Sequence, residues 1–173
     1  DEYTAPQAPD TLVAGCGTGQ HAIQAASRFS GTKVTAVDLS LGSLSYAFRK
    51  TREMGLKNIE YIQGDILQLG KIGKTFDMIE CGGVLHHMAE PLKGWEVLVS
   101  LLRDNGLMKI GLYSEKGRPD IIAARNFIEQ GGYGASASEI RRCRQDIVAA
   151  AEKGDPELIQ LCMRGDFYSL SPC

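Results

Sequence analysis

The sequence predicts an α/β fold in which a mostly parallel sheet carries helices on both faces. Short apolar runs alternate with segments of helical periodicity between residues 11 and 113. The connections are long enough for the crossovers that parallel strands require. Clusters of glycine and acidic residues follow successive strands. Because the carboxyl ends of parallel strands meet at one edge of the sheet, where ligands bind, these clusters predict one shared site.

The first half of this pattern contains three strands and two helices. Residues 11–14 are an apolar strand, residues 33–38 a β-branched strand that ends on an acid, and residues 59–63 a third strand. Residues 20–29 and 40–54 place apolar side chains at three- and four-residue spacing, which is typical of amphipathic helices. A glycine then ends the second of these helices.

The second half adds two strands and one helix. Residues 76–80 and 107–113 have the apolar character of buried strands. Residues 91–103 read as a helix that begins with a proline and is ended by Asn105-Gly106. We therefore expect a sheet of five strands.

Composition bounds the class of protein. The 173 residues carry a net charge of −2 and are 43% hydrophobic, which is typical of one globular domain. A dedicated nucleic-acid binder usually has a strongly basic face, so nucleic acid is not the expected partner. The five cysteines include no CxxC pair and are interpreted as reduced thiols, and no apolar run is long enough to cross a bilayer. We expect a cytoplasmic protein without a membrane partner.

Three glycines follow the first strand. Gly15, Gly17 and Gly19 alternate with Cys16 and Thr18 in a turn that leads into a helix. Glycine allows the turn and the close approach of a ligand, and the helix offers free N–H groups. A dinucleotide-binding G-x-G-x-x-G motif would need glycine at position 20, which is glutamine, and no G-K-[ST] of a phosphate-binding loop follows. The loop predicts a nucleotide site of another kind.

The stretch from Leu12 to Gly19 resembles the first motif of class I S-adenosylmethionine-dependent methyltransferases. The likeness continues over residues 10–115 and is to the small-molecule type, in an uncharacterised bacterial branch. It implies a Rossmann-like three-layer α/β/α sandwich with strand order 3-2-1-4-5, and S-adenosylmethionine as cofactor. The commonest family form has an acid before the first glycine, where this chain has Ala14.

The resemblance also implies which residues contact the cofactor. The glycine loop lies over its methionine part, Asp38 accepts from the ribose hydroxyls, and Asp65 accepts from the adenine amino group. Without the resemblance, the local sequence also allows other roles. Asp38 is a candidate cap for the next helix, as is Ser40, and Asp65 is a candidate for an ordinary turn residue. The implied contacts are Gly15, Cys16, Gly17, Thr18, Gly19, Asp38, Leu39, Asp65, Ile66, Glu80, Cys81 and Gly82.

The candidates for a catalytic base at the carboxyl edge are His86, His87, Glu80 and Tyr113, and we favour His86 or His87. These two histidines end the run Val84-Leu85-His86-His87, which resembles the segment after the fourth strand of small-molecule methyltransferases. A hydroxyl or protonated amine acceptor needs a general base as well as correct placement beside the donor. Adjacent residues on regular structure point to different sides, so we expect only one of the two to serve. No ligand pair has zinc spacing, so no metal is expected.

The predicted function is in-line transfer of a methyl group to an unidentified small-molecule acceptor. Residues 80–83 lack both the D/N-P-P-Y motif of enzymes that methylate exocyclic amines and the Pro-Cys of cytosine-C5 enzymes. Three alternatives stay open. They are a non-catalytic S-adenosylmethionine-binding module, an RNA methyltransferase that uses Arg141, Arg142 and Arg144, and a nicotinamide-dependent oxidoreductase.

Residues 116–173 show helical periods and no further strand. We expect three helices, the second behind a capping box that starts at Ser136 and the third opening at Asp155-Pro156. This stretch is interpreted as an extension of the same domain as the core at residues 1–115. We expect it to cap the acceptor side, with Tyr168 facing the pocket.

The length is short for the family that the motifs resemble. The family's complete sheet has seven strands, whereas this sequence predicts five, and the usual helix before the first strand is absent. We therefore expect a chain truncated at both ends that binds S-adenosylmethionine, while its activity on its own is open. The strand at residues 107–113 would present an open edge, through which a second copy of the chain would pair to form a homo-oligomer.

Overall fold

The computed structural model describes residues 6–28, 31–114, 116–165 and 167. These residues form two compact units, divided between Leu112 and Tyr113. The five strands of the described residues belong to the first unit, and the second unit is helical. The first unit also contains the glycine and acidic clusters that the sequence places at the ligand-binding edge, whereas Tyr113 is the first residue of the second unit.

Parallel strands form the sheet of the first unit. They are β1 (Asp10–Ala14), β2 (Lys33–Asp38), β3 (Ile59–Gln63), β4 (Phe76–Gly82) and β5 (Leu102–Gly111). Their order is β3-β2-β1-β4-β5, and each of the four pairings is parallel. The predicted fold class and strand order are confirmed. The chain winds outward in both directions from β1, and sheets of this kind bind ligands at that switch point.

Helices cover both faces of this sheet. They are α1 (Gln20–Arg28), α2 (Leu41–Glu53) and α3 (Pro91–Ser100), with 3-10 helices at Ile66–Ile72 and Leu85–His87. Leu12 and Ala14 of β1 pack with α3 and both 3-10 helices, whereas Val13 packs with α1 and α2. Successive side chains of a strand point to opposite faces of the sheet, and both faces are buried here, so neighbouring residues of β1 pack against different helices.

The chain enters β5 earlier than the sequence predicts. The predicted helix extends to residue 103, but Leu102 already pairs with Phe76 of β4. The next pair joins Leu107 to Met78, so β5 bulges between the two pairs. Asn105 has a φ of 60° within this bulge, a conformation that asparagine adopts more readily than most residues. Asn105-Gly106 is therefore a bend inside an irregular edge strand and does not end a helix.

A polar network joins three strands at the amino edge of the sheet. Arg103 donates to Asp77 at 2.7 Å, to Asp10 at 2.8 Å and to Thr75 at 3.2 Å. The Asp10 amide also donates to Asp77, at 2.8 Å. Burial raises the pKa of the Asp77 carboxyl, but the hydrogen bonds from Asp10 and Arg103 outweigh it, and the pKa is lowered overall.

Arg103→Ala is expected to destabilise the first unit by roughly 1 kcal/mol at neutral pH, since solvent screens an arginine that is 39% exposed. A carboxyl whose folded pKa is depressed contributes stability above its unfolded value, and this is lost as the pH falls through the folded value. The difference between wild type and variant should therefore fade below about pH 4. Urea denaturation over a pH series measures it. A difference that persists undiminished at about pH 2 would rule out this contribution.

The described part of the second unit contains three helices. They are α4 (Pro119–Gly131), α5 (Ala137–Glu152) and α6 (Pro156–Cys162). Ser136 accepts from the Glu139 amide at 3.3 Å, and Asp155 accepts from the Leu158 amide at 3.1 Å. The two caps expected from the sequence therefore begin α5 and α6. Tyr168, expected to face the acceptor pocket, lies outside the described residues.

Candidate cofactor site

The glycine loop between β1 and α1 adopts a conformation that glycine alone takes readily. Gly15, Gly17 and Gly19 have φ values of 73°, 52° and 90°. The amides of Gly15 and Cys16 donate to the Val37 carbonyl at 2.8 and 2.9 Å, which ties the loop to the end of β2. No described atom lies within 4 Å of the place that a Cβ on Gly17 would occupy. The loop is therefore open to a ligand at Gly17.

Asp38 connects the glycine loop to the start of α2. Its Oδ2 accepts from the Gly17 amide at 2.7 Å, and its Oδ1 accepts from the Ser40 amide at 2.9 Å. The cap of α2 is Ser40, whose hydroxyl accepts from the Ser43 amide at 3.2 Å. Of the two capping candidates, Ser40 is thus the cap. The Asp38 carboxylate is partly exposed at the carboxyl end of β2.

Asp65 follows β3 and begins the first 3-10 helix. Its Oδ1 accepts from the Leu67 amide at 3.0 Å, so this carboxylate caps the helix. The next residue, Ile66, is buried in the core. Leu39, which follows Asp38 on the neighbouring strand, is 69% exposed. The ends of β2 and β3 therefore present two carboxylates beside an exposed apolar side chain.

One cavity brings the ends of β1 to β4 together. Its volume is about 200 Å³, which suits part of a ligand more than a complete one. Its lining combines carboxylates, glycines and apolar side chains: Gly15, Val37, Asp38, Leu39, Gly64, Asp65, Ile66, Gly83, Val84, His87 and Met88. A larger cavity of about 960 Å³ lies at the opposite, amino edge of the sheet, where it is lined by Lys33, Lys57 and Arg103 among others. It contains none of the predicted site residues, so the smaller cavity is the candidate site.

Glu80, near the end of β4, lies in a cluster of charged side chains. Its Oε1 is 3.1 Å from Nδ1 of His21 and 2.9 Å from Nζ of Lys109. The cluster joins β4 to α1 and β5. Glu80 is among the contacts predicted from the sequence, whereas His21 and Lys109 are not. The one local signal for His21 is its position directly after the glycine loop and Gln20.

His86 and His87 face each other. Their Nε2 atoms are 3.1 Å apart and their ring centroids 4.2 Å apart. The expectation that adjacent histidines point to different sides is wrong here, because both rings turn together within the tight turn of the second 3-10 helix. At this distance one Nε2 donates and the other accepts. His87 also lines the candidate cavity, and His86 does not.

The two cysteines among the predicted contacts are buried thiols. Burial, followed by the charge of Asp38, raises the pKa of Cys16 to about 12. Burial raises the pKa of Cys81 to about 11, against a hydrogen bond from the Leu85 backbone. Both side chains are therefore neutral and act as small apolar groups. Thr18 is exposed in the loop, and the neighbour of Cys81, Gly82, is the last residue of β4.

Within the described ranges, no group of three or more histidine, cysteine, aspartate or glutamate side chains is arranged to hold a metal ion. None of the helices found there has the length and apolar character needed to cross a membrane.

Residues 12–106 match the family model of a methyltransferase domain, which is more than half of the chain. The chain belongs to this family. The matched residues begin in β1 and end in the bulge of β5. The fold, the glycine loop and this match agree on a class I S-adenosylmethionine-dependent methyltransferase domain with a Rossmann-like fold. S-adenosylmethionine is its cofactor.

Several proteins are similar to this methyltransferase chain. An uncharacterized protein of Synechococcus sp. is 36% identical over 114 residues, which are 65% of this chain and 27% of that protein. A probable (S)-tetrahydroprotoberberine N-methyltransferase of Papaver bracteatum is 31% identical over 77 residues, 44% of this chain and 21% of that protein. A tRNA (guanine-N(7)-)-methyltransferase of Rubrobacter xylanophilus is 37% identical over 68 residues, 39% of this chain and 30% of that protein. The chain thus spans a third or less of each.

Among solved structures, an S-adenosylmethionine-dependent methyltransferase of Clostridium acetobutylicum is 28% identical and has a TM-score of 0.58. The alignment covers 65% of this chain and 46% of that one. The likeness therefore concerns the methyltransferase core and not the whole of either protein.

Proposed function

We propose that this domain binds S-adenosylmethionine across the ends of β1 to β4 and transfers its methyl group to a small-molecule acceptor. The observation that carries the proposal is the presence of Asp38 and Asp65 in one cavity with Gly15 of the glycine loop. Carboxylates accept the hydroxyl protons of a ribose and the amino protons of an adenine. Because the two acids end neighbouring strands, one nucleoside lying across β2 and β3 would meet both.

The geometry of Asp38 supports a double role. Its oxygens accept from the Gly17 and Ser40 amides, so the side chain is already held in place. A carboxylate has about four acceptor positions, which leaves room for ribose hydroxyls in addition to these amides. Asp38 would therefore shape the glycine loop and bind the ligand through the same group.

The other predicted contacts fit the same ligand. The open space at Gly17 gives a ligand access to the loop backbone, and the exposed Leu39 offers an apolar surface to a flat ring. Bound S-adenosylmethionine supplies an electrophilic methyl group on a positively charged sulfur. The raised pKa values of Cys16 and Cys81 keep both thiols protonated, so neither competes with the acceptor for that methyl group.

A small molecule is the acceptor class that we favour. The relative from Papaver is named for an alkaloid acceptor, whereas the relative from Rubrobacter is named for tRNA. Asp38 and Asp65 give the candidate cavity negative charge, which disfavours a phosphate backbone. Of the histidines that the sequence favours as the base, His87 lines the cavity and His86 does not.

Titration calorimetry with S-adenosylhomocysteine and with NADH tests the proposed site. Wild type should bind the first ligand and not the second. Asp38→Ala should weaken binding of S-adenosylhomocysteine by roughly 10- to 100-fold, since hydrogen bonds to a charged group contribute about 1.5–3 kcal/mol. A preference for NADH would contradict the proposal, as would full affinity in the variant.

Asp104→Ala is the matched control for this titration. Asp104 is an exposed acid in the bulge of β5, next to Arg103 at the opposite, amino edge of the sheet, and its loss should leave the affinity unchanged. Because Asp38 also holds the Gly17 amide, the circular dichroism and melting temperature of Asp38→Ala must be compared with wild type. Methyl transfer is then measured as release of S-adenosylhomocysteine over a panel of small amines, phenols and alcohols, with tRNA as the competing class.

A further inference from the structure

His21 lies at the point where the glycine loop, β4 and β5 meet. It is the second residue of α1, and its Nδ1 is 3.1 Å from Oε1 of Glu80. Lys109 of β5 holds the same oxygen at 2.9 Å. The Glu80 side chain is 22% exposed and the His21 side chain 44% exposed. The carboxylate is thus largely enclosed, while the imidazole reaches solvent.

This contact favours a proton on Nδ1 of His21. An unprotonated Nδ1 would turn its electron pair toward a carboxylate oxygen 3.1 Å away, so the neutral imidazole is more stable with Nδ1 protonated. Nε2 then has a free electron pair. The carboxylate thereby holds the imidazole with Nε2 turned away from Glu80, which is the positioning role of the carboxylate in other histidine–carboxylate pairs of enzymes.

The ring stands at the carboxyl edge of the sheet. A Cβ on Gly82, the last residue of β4, would lie 3.6 Å from Cε1 of His21, so the imidazole is against the end of that strand. His87, by contrast, lines the cavity that holds Asp38 and Asp65. The two histidines therefore occupy different parts of the edge, with His87 at the proposed nucleoside end and His21 beside the glycine loop and β5.

We propose that His21 is the general base for the methyl acceptor and that Glu80 is its positioning residue. The inference rests on the proposed methyltransferase function and extends it to the acceptor, which would be an amine, phenol or alcohol with a proton to lose. As the acceptor's electron pair forms the bond to the methyl carbon, its proton moves to Nε2 of His21. The electron pair of the broken carbon–sulfur bond stays on the sulfur, so charge and atoms balance.

The tautomer of His21 can be measured without an acceptor. In ¹⁵N-labelled protein in alkaline solution, the imidazole nitrogen shifts should show a protonated Nδ1 and an unprotonated Nε2 on His21, with its signals assigned by their loss in His21→Gln. Glu80→Leu, which removes the carboxylate beside Nδ1, should give a mixture of tautomers. A His21 that carries its proton on Nε2 in the wild type would overturn the proposal.

Kinetics with an acceptor found in the panel gives the second test. His21→Gln keeps a donor for Glu80 but cannot take up a proton, so kcat should fall by about 10²–10⁴-fold. In wild type the rate should rise with pH and then become constant, and this dependence on pH should be absent in His21→Gln. S-adenosylhomocysteine should still bind within about twofold of wild type. His87→Gln should keep the rise of the rate with pH. If this rise is absent in His87→Gln and present in His21→Gln, His21 is not the base.

The two proposals fail in different ways. If wild type does not bind S-adenosylhomocysteine, the proposed function is wrong, whatever His21 does. If the ligand binds and methyl transfer proceeds equally well in His21→Gln, only the assignment of the base is wrong.

Discussion

Gly19→Ala is expected to lower the free energy of unfolding of the first unit by about 2–5 kcal/mol. Gly19 has a φ of 90°, and an L-residue held at positive φ costs roughly 1–2 kcal/mol. The added methyl group would also lie 2.6 Å from Cβ of Ala47, a fully buried residue of α2. Overpacking of this kind costs about 1–3 kcal/mol more, because α2 must move away from the loop.

Gly17→Ala separates these two causes. Gly17 has a φ of 52°, but its Cβ would meet no described atom within 4 Å. This variant should therefore show only the backbone cost, about 1–2 kcal/mol. Urea denaturation of both variants followed by circular dichroism measures the difference. Equal losses at the two positions would mean that the contact between Gly19 and α2 does not limit the packing.

Elements with a clear local signal were predictable because that signal needs no tertiary information. β2 and β3 begin and end at the predicted residues, since each is a short β-branched or apolar run between breakers. The caps at Ser136 and Asp155 were predictable for the same reason, because a cap is a contact between residues three or fewer apart. The strand order came from the family resemblance, which the topology confirms.

The irregular start of β5 was not predictable from local pattern. Asn105-Gly106 is a common helix stop, and residues before it continue the periodicity of α3. Pairing of Leu102 with Phe76 outweighs that preference, because it satisfies the backbone of the edge strand and places Arg103 beside Asp77. Tertiary contacts decide such a boundary, so a single sequence shows no sign of it.

The residues of the candidate site also fall into a group that the sequence predicts and a group that depends on tertiary structure. Asp38 and Asp65 directly follow strands, so the parallel sheet alone places them at one edge. His21 and Lys109 are joined to Glu80 only because β4 lies between β1 and β5 and the start of α1 passes over its end. The mutual contact of His86 and His87 depends on the side-chain rotamers of a 3-10 turn, which adjacency in sequence does not reveal.

The second large effect is expected in the helical unit, where Arg164→Ala should cost about 3–5 kcal/mol at neutral pH. Asp120, in the first turn of α4, is 0% exposed, and Arg164 donates to both of its carboxylate oxygens. The hydrogen bond from Arg164 lowers the pKa of the Asp120 carboxyl, against the effect of its burial. Removal of the arginine leaves a buried carboxylate without that partner. An unpaired buried charge is more destabilising than an unpaired charge that can reach solvent.

The asymmetry of burial gives this prediction its controls. Arg164 is 29% exposed, so Asp120→Asn leaves a cation that can turn to solvent and should cost less than Arg164→Ala. Arg141→Ala removes an exposed arginine of α5 and should change stability by less than about 0.5 kcal/mol. Because the folded pKa of Asp120 is depressed, the contribution of the pair is complete above about pH 4 and is lost as the pH falls through the folded value. Native-state hydrogen exchange of the α4 and α6 amides measures these losses. A larger loss in Asp120→Asn than in Arg164→Ala would show that the arginine, and not the buried carboxylate, is the group that depends on the pair.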